Sequence, residues 1–410
     1  MRMFYLAYSN LKANFLTTAL SIMLLSIGVG MVSFIVTVSN QLNDRFNRDI
    51  RGIDMVVGAK GSPLQLILSA VYQMDNPTGN ISNKEANRII KHPLVKYSIP
   101  LSYGDSYQGY RIVGTDSVYL SHFDTKFAQG TGWGKSMEVV LGNAVATRLN
   151  MKLGDHFHGT HGLETEGHSH YEAHYTVVGI LKESGSVADR LILTSTASVW
   201  DIHNHQEPEE LHEHHDHGEH DHAHKLEEVE GEITALLVKF KSPMGIMQIP
   251  RFVNEKTSMQ AAIPAIEINR LYELMGVGFS TLQAIGLLMM VIAALSVFIS
   301  LLNSLKERKY ELALMRSLGA SPAKLFGLVL LESLLLCLSG YLFGIILGRI
   351  AIMVLSSFGE EQFRFGLTHA GVTTIELWLL PFTLAIGIIS ALIPAFRAYQ
   401  TDISSALRND

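Results

Sequence analysis

Four uninterrupted apolar blocks constrain this chain more than any other feature. Leu16 to Val38, Leu274 to Leu305 and Leu377 to Phe396 contain no Asp, Glu, Lys or Arg, and Leu325 to Gly348 contains a single acid, Glu332. A bilayer core needs about 20 consecutive apolar residues per helix, so each block is long enough to cross. A helix buried in a soluble core rarely stays apolar on every face over such lengths. The expected fold class is therefore a membrane protein with four transmembrane α-helices. The 235 residues between the first and second blocks read as an ordinary α+β domain, inserted between helices one and two. The first block exceeds the h-region of a cleaved signal, about 7–15 residues, and no A-x-A site follows it. It reads as an uncleaved anchor.

Lys and Arg in short loops set orientation. Lys306, Arg308, Lys309, Arg316 and Lys324 lie between spans two and three, Arg2 and Lys12 precede span one, and Arg397 and Arg408 flank the end. All three stretches are expected on the cytoplasmic side, with both termini. Glu360 and Glu361 against Arg364 suit the outside for the loop between spans three and four. The expected segments are an interfacial helix at 1–14, span one at 15–38, an extracytoplasmic domain at 39–273, and span two at 274–305. A coupling segment follows at 306–324, then span three at 325–349, an outer loop at 350–376, span four at 377–397 and a tail at 398–410. The sole cysteine, Cys337, falls in span three, so the inserted domain folds without disulfides. A net charge of −6 argues against a nucleic-acid partner and leaves membrane lipid as the general one.

Within the inserted domain, Ser82 to Glu85 forms a capping box for a short helix that Pro93 ends. Tyr97 to Asp116, Glu138 to Val145, Tyr175 to Leu181, Leu191 to Thr194 (with a strand ending near Trp200) and Glu232 to Phe240 are expected strands. Ser242-Pro243 starts a helix, and Ala265 to Met275 continues as a stalk into span two.

Certain residue patterns resemble those of MacB/FtsX-type ABC transporter permeases, the type VII or mechanotransmission class that includes lipoprotein-releasing permeases. The start, Leu6-Ala7-Tyr8-Ser9-Asn10-Leu11-Lys12-Ala13-Asn14, resembles that family's leading helix. Glu307-Arg308-Lys309-Tyr310-Glu311-Leu312-Ala313-Leu314-Met315-Arg316-Ser317-Leu318-Gly319-Ala320-Ser321 is similar to its segment after span two. Pro394 to Ile403 with Ala406-Leu407-Arg408 resembles its end, Ile403 replacing the usual Pro. Glu138 to Gly142 and Leu153-Gly154-Asp155 resemble its periplasmic core. The resemblance makes 274–410 an FtsX-like permease domain in a bacterial cytoplasmic (inner) membrane. It implies a cytoplasmic ABC ATPase subunit that binds ATP-Mg, with no cofactor for hydrolysis on this chain. It also implies a homodimer or paired permease, and leaves open a lipoprotein or other extracytoplasmic adaptor.

From the residues alone, Glu307 to Leu318 is amphipathic, and Leu312, Met315 and Leu318 can share one face. A helix in this position can dock into a soluble partner. The residues expected to couple to the ATPase are Glu307, Arg308, Glu311, Leu312, Met315, Arg316, Leu318 and Gly319. Gly340, Gly344 and Gly348 make a small-residue stripe for close helix packing, within one chain or between two. Glu332 is expected to meet a partner from a neighbouring helix or from Arg and Lys at the membrane face. Gly130-Thr131-Gly132-Trp133-Gly134-Lys135-Ser136 misses the phosphate-loop spacing by one residue, because Gln129 stands where the first Gly is required. No catalytic residues are expected.

Fifteen of the 18 histidines lie between His156 and His224. One group is His156, His158, His161, His168, His170 and His174. The other is a low-complexity loop at 203–224 with His203, His205, His212, His214, His215, His217, His220, His222 and His224. Imidazoles with acidic neighbours suit zinc, which makes zinc a candidate ligand and zinc homeostasis a candidate role. Two other roles stay open: release of lipoproteins or efflux of peptides and drugs with an incidental His loop, and non-transporting regulation of an extracytoplasmic enzyme.

Overall fold

The computed structural model describes residues 2–161, 169–204, 231–362 and 374–400. The chain divides into two compact units: one of residues 1–44 with 273–410, and one of residues 45–272.

From the N-terminus, α1 (Arg2–Ala13) and α2 (Phe15–Asp49) lead into β1 (Met55–Ala59), α3 (Pro63–Ala70), β2 (Ile81–Ser82) and α4 (Asn83–Ile90). Next come β3 (Val95–Tyr107), β4 (Tyr110–Thr115), α5 (Ser117–His122), β5 (Phe127–Gly130), β6 (Glu138–Leu141) and α6 (Asn143–Leu149). They are followed by β7 (His156–His161), β8 (Ser169–Leu181), β9 (Ile192–Ser195), α7 (Thr196–Asn204), β10 (Glu232–Ile233), β11 (Ala235–Phe240), α8 (Pro243–Lys256) and β12 (Met259–Ala262). The chain then forms α9 (Pro264–Glu307), α10 (Lys309–Ser317), α11 (Pro322–Gln362) and α12 (Thr374–Tyr399).

In the first unit, α2, α9, α11 and α12 are long and apolar enough to cross a membrane. Their outward side chains are apolar: Leu16 is 81%, Trp378 72% and Ile389 67% exposed in the isolated chain, as lipid-facing residues should be. Inward, Leu25 and Val29 of α2 cluster with Met290 and Ala293 of α9, Cys337 of α11 and Leu379 of α12. A second cluster joins Val297 and Leu301 of α9 with Leu325 and Val329 of α11 and Ala391 and Ala395 of α12. The helices outrun the expected spans. Helix α2 continues past 38 to Asp49, and α9 begins at Pro264, so the stalk expected over Ala265 to Met275 runs unbroken into span two. Extra turns beyond the charge-free runs cost little, because they keep their own backbone hydrogen bonds in water.

The inserted unit is built on a ten-stranded mixed sheet in the order β12-β1-β11-β3-β4-β9-β6-β8-β5, with β7 pairing β3 and β8. The 13-residue β3 serves two cores. Its first half pairs β11 beside a core of Met55, Val57, Ile89, Leu236 and Val253. Its second half, from Ser102, pairs β4, with a register shift between Tyr103 and Ser106, beside a core of Ile112, Val139, Leu141, Tyr175 and Ile192. The α+β expectation matches this architecture, with two local departures. The expected strand from Glu138 stops at Leu141, and Asn143 onward is helical in α6. The residues around Trp200 form α7 rather than a strand. Ser195 starts α7 by accepting the Ser198 N–H on its hydroxyl (3.2 Å), a local cap that outweighs the β-favouring Val and Trp that follow. Ser82 caps α4 by accepting the Lys84 N–H (3.2 Å), but Glu85 does not close the reciprocal half of the box; it accepts the Ser258 hydroxyl.

Candidate functional site

Helix α9 ends at Glu307, and α10 restarts two residues on at Lys309, with Arg308 between them at φ −110°, ψ 19°. At its far end Gly319 takes φ +94°, donating to the Arg316 carbonyl (3.0 Å) while Ala320 donates to that of Met315 (2.9 Å). These two bonds and the left-handed residue make a Schellman stop, which favours glycine at this position. The coupling segment is thus a separate helix of nine residues.

This helix has two faces of different destiny. Leu312 and Ala313 are buried, and Leu312 and Met315 pack on Val297, Leu301, Leu325 and Val329 of the spans. Tyr310, Leu314 and Leu318 point away, 53%, 45% and 80% exposed. Their i, i+4, i+8 spacing makes one apolar stripe. This corrects the expected face: Leu312 and Met315 anchor α10, whereas Leu318 belongs to the opposite side with Tyr310 and Leu314. A 3.6-residue period allows either assignment of Leu318, and only packing chooses.

Beneath α10 lies a buried polar junction. Glu332 of α11 is 5% exposed. Its Oε1 accepts a hydrogen bond from the Asn10 side chain of α1 and lies 3.5 Å from Arg308 Nη1. Arg308 Nε lies 3.3 Å from Glu311 Oε2 on α10. A charged carboxylate inside a bilayer demands a partner, and here two partners arrive from two other elements. One carboxylate therefore ties α1, the α9–α10 joint and α11 together. Asn10 was not among the residues expected at this site; its position in the leading helix, on the same side of the membrane as Arg308, was the available signal.

A second junction went unanticipated. Glu376, at the start of α12, is 1% exposed. Its carboxylate accepts from the Ser33 hydroxyl of α2 (2.8 Å) and from Arg349 Nη2 of α11 (2.6 Å). The Tyr341 hydroxyl donates to its backbone carbonyl (3.0 Å). Arg349 and Glu376 stand at the expected end of span three and of the outer loop, and their opposite charges at these two boundaries are the sequence signal for the pair.

The small-residue stripe faces α2 of the same chain. A Cβ at Gly340 would fall 2.6 Å from Leu25 Cδ2, and one at Gly344 2.7 Å from Val29 Cβ. One at Gly348 would fall 3.1 Å from the Gly30 carbonyl. The Ser26 hydroxyl donates to the Gly340 carbonyl across this contact (3.1 Å).

In the inserted domain, the backbone N–H groups of Gly134 (2.6 Å) and Lys135 (3.0 Å) donate to Glu138 Oε2. These bonds hold Glu138 below the usual carboxylate range. The segment resembling a phosphate loop therefore directs two of its amides at the protein's own carboxylate. Of the histidines, His158 and His174 lie side by side on β7 and β8, ring centroids 4.2 Å apart, and His156 Nδ1 lies 3.0 Å from Thr176 Oγ1. Among the described residues no three His, Cys, Asp or Glu side chains converge. His168, His205, His212, His214, His215, His217, His220, His222 and His224 lie outside the described residues, as do the side chains of His161, His170 and His203.

Residues 18–243 match the MacB-like periplasmic core domain, and residues 284–403 match the C-terminal FtsX-like permease domain. The chain belongs to the MacB/FtsX family of ABC transporter permeases. An ABC transporter permease in general works with a cytoplasmic ATPase. The chain is 25% identical over 139 residues to the ABC transporter permease YtrF of Bacillus subtilis (strain 168), a match spanning 31% of each protein. It is similar to the periplasmic region of MacB from Actinobacillus actinomycetemcomitans, with 12% identity and a TM-score of 0.34 over 55% of this chain and 96% of that one. It is also similar to the extracellular domain of the Gram-positive transporter YknZ, with 13% identity and a TM-score of 0.31 over 50% of this chain and 98% of that one.

Proposed function

We propose that this permease passes the ATPase cycle of a separate cytoplasmic subunit to its periplasmic core domain through α10. The observation that carries this reading is the two-sided character of α10. Its outer stripe, Tyr310, Leu314 and Leu318, offers an apolar ridge of the kind that seats in a groove of a soluble partner. Its inner side is tied through Arg308 to Glu332 and Asn10, so a push on the ridge moves three elements together. The Lys and Arg clusters favour cytoplasmic termini and a cytoplasmic α10. Four spans are too few to enclose a pathway, which favours a pair of permeases on two ATPase subunits. At the outer face, the His158–His174 pair favours a link to zinc over an incidental His loop.

The test is ATPase stimulation in nanodiscs, with the ATPase subunit added to the permease. Leu314→Asp and Leu318→Asp should each abolish stimulation and co-purification while leaving the permease's circular dichroism intact. Full stimulation in both variants would sink the reading.

A further inference from the structure

The proposed zinc link has one concrete anchor, and it follows from strand register. β7 and β8 pair antiparallel with His156 opposite Thr176, Phe157 opposite Tyr175 and His158 opposite His174. Side chains alternate faces along a strand. Phe157 and Tyr175 are 3% and 0% exposed and stack at 5.5 Å, with Tyr107 packed on Phe157 at 4.4 Å. That aromatic layer pins the register, because a slip of one residue would turn it outward. The period of two then forces His156, His158 and His174 onto the opposite, solvent-side face.

We propose that His158 and His174 form a two-point chelate for a borderline divalent cation of the zinc class. The two rings lie directly across the ladder with centroids 4.2 Å apart and planes 54° apart. A small side-chain rotation lets one nitrogen of each reach a common ion at about 2.0–2.1 Å. Two imidazoles select zinc, nickel or copper over calcium or magnesium, which prefer all-oxygen shells. The register shifts immediately after His158, at Gly159, where a Cβ would press on the Asp105 side chain. This bulge ends regular pairing beside the two rings. His156, engaged with the Thr176 hydroxyl, stays outside the chelate. Solvent completes the shell, so the ion exchanges readily, as suits a site that receives or senses a metal. The site deepens the zinc-linked reading and is independent of how α10 couples to the ATPase.

The experiment uses the full-length chain in nanodiscs, with the nine histidines of 203–224 changed to Asn to silence that background. Zinc is titrated against a chromogenic chelator. One zinc per chain near micromolar affinity is expected, weakened at least tenfold by His158→Gln and by His174→Gln, with the double variant no worse than either. His156→Gln should bind as the parent does. Zinc binding unchanged in either single variant overturns the site, as does a loss in His156→Gln equal to the others. A second readout needs no change in β7 or β8: one equivalent of copper(II) should show two-nitrogen coupling in its electron paramagnetic resonance spectrum, and one nitrogen or none overturns the chelate. ATPase rates with and without zinc test the transport link separately; a site that binds without altering those rates sinks the zinc-transport reading and leaves the chelate standing.

Discussion

Removing one side of the Arg308–Glu332 pair should expose how strongly the coupling helix is tied to the spans. In Arg308→Met the Glu332 carboxylate, 5% exposed, loses its cation and keeps the Asn10 side chain on Oε1. Breaking a fully buried ion pair costs about 3–5 kcal/mol. Arg308 is 20% exposed at its side chain, so the lower end applies, about 3 kcal/mol. Glu332→Leu should cost less, about 1–2 kcal/mol, because Arg308 keeps Glu311 within 3.3 Å and reaches water. The double variant places Met against Leu in an apolar setting and strands only the Asn10 amide, about 1–2 kcal/mol. The double-mutant cycle should therefore give a coupling energy of at least about 2 kcal/mol. Equilibrium unfolding by SDS titration in bicelles measures it, since thermal scans of membrane proteins are commonly irreversible. ATPase stimulation should fall in Arg308→Met and recover in part in the double variant. Additive stabilities within about 0.5 kcal/mol would show that the contact carries no energy, and the junction would lose its role in coupling.

Four other outcomes follow from the structure. Arg349→Met should leave the Glu376 carboxylate short of its charged donor and destabilise the membrane unit by roughly 3 kcal/mol in the same titration; an unchanged midpoint would contradict the pairing. Gly344→Val would crowd Val29 and the Ser26 carbonyl, both within 3.0 Å of a new Cβ, and should cost about 1–3 kcal/mol, whereas a neutral result would place that stripe elsewhere. Gly319→Ala forces a side chain into φ +94° with open space around it, so about 1 kcal/mol of pure backbone strain should appear and loosen α10. Burial lowers the pKa of His122, with the charge of Lys239 adding to the effect, and the Tyr97 hydroxyl lies 3.1 Å from its Nδ1. Because its folded value lies below the ordinary value of about 6.5, the unfolded chain binds the proton first. Stability should then fall as pH drops below about 6.5 and level off below the folded value, and His122→Gln should remove that part of the pH slope in the inserted domain's melting; a slope that persists unchanged would assign it to another group.

The coupling segment shows where local pattern stops being informative. Its helix, its amphipathic character and its glycine stop follow from residues within a few positions of each other. Leu318 could sit on either side of the 3.6-residue wheel, and only the packing of Leu312 and Met315 on α9 and α11 decides that it faces outward. Glu332 needed a partner by its chemistry, yet Asn10 lies 322 residues away and nothing local selects it. The strand expectations failed at Asn143 and around Trp200, where at the second site the Ser195 cap outweighs the β-favouring side chains that follow.

Two kinds of fact separate here. The four spans, the domain inserted after the first, the absence of disulfides in that domain and the family are written in runs of residues that each carry their own evidence, because solvation in a bilayer depends on local composition. The partners of Glu332 and Glu376, the face α10 presents and the opposition of His158 to His174 belong to the tertiary structure alone. Each depends on how distant helices pack or how two strands register, and a one-residue slip or a rotation of one helix would undo them without changing a single local propensity.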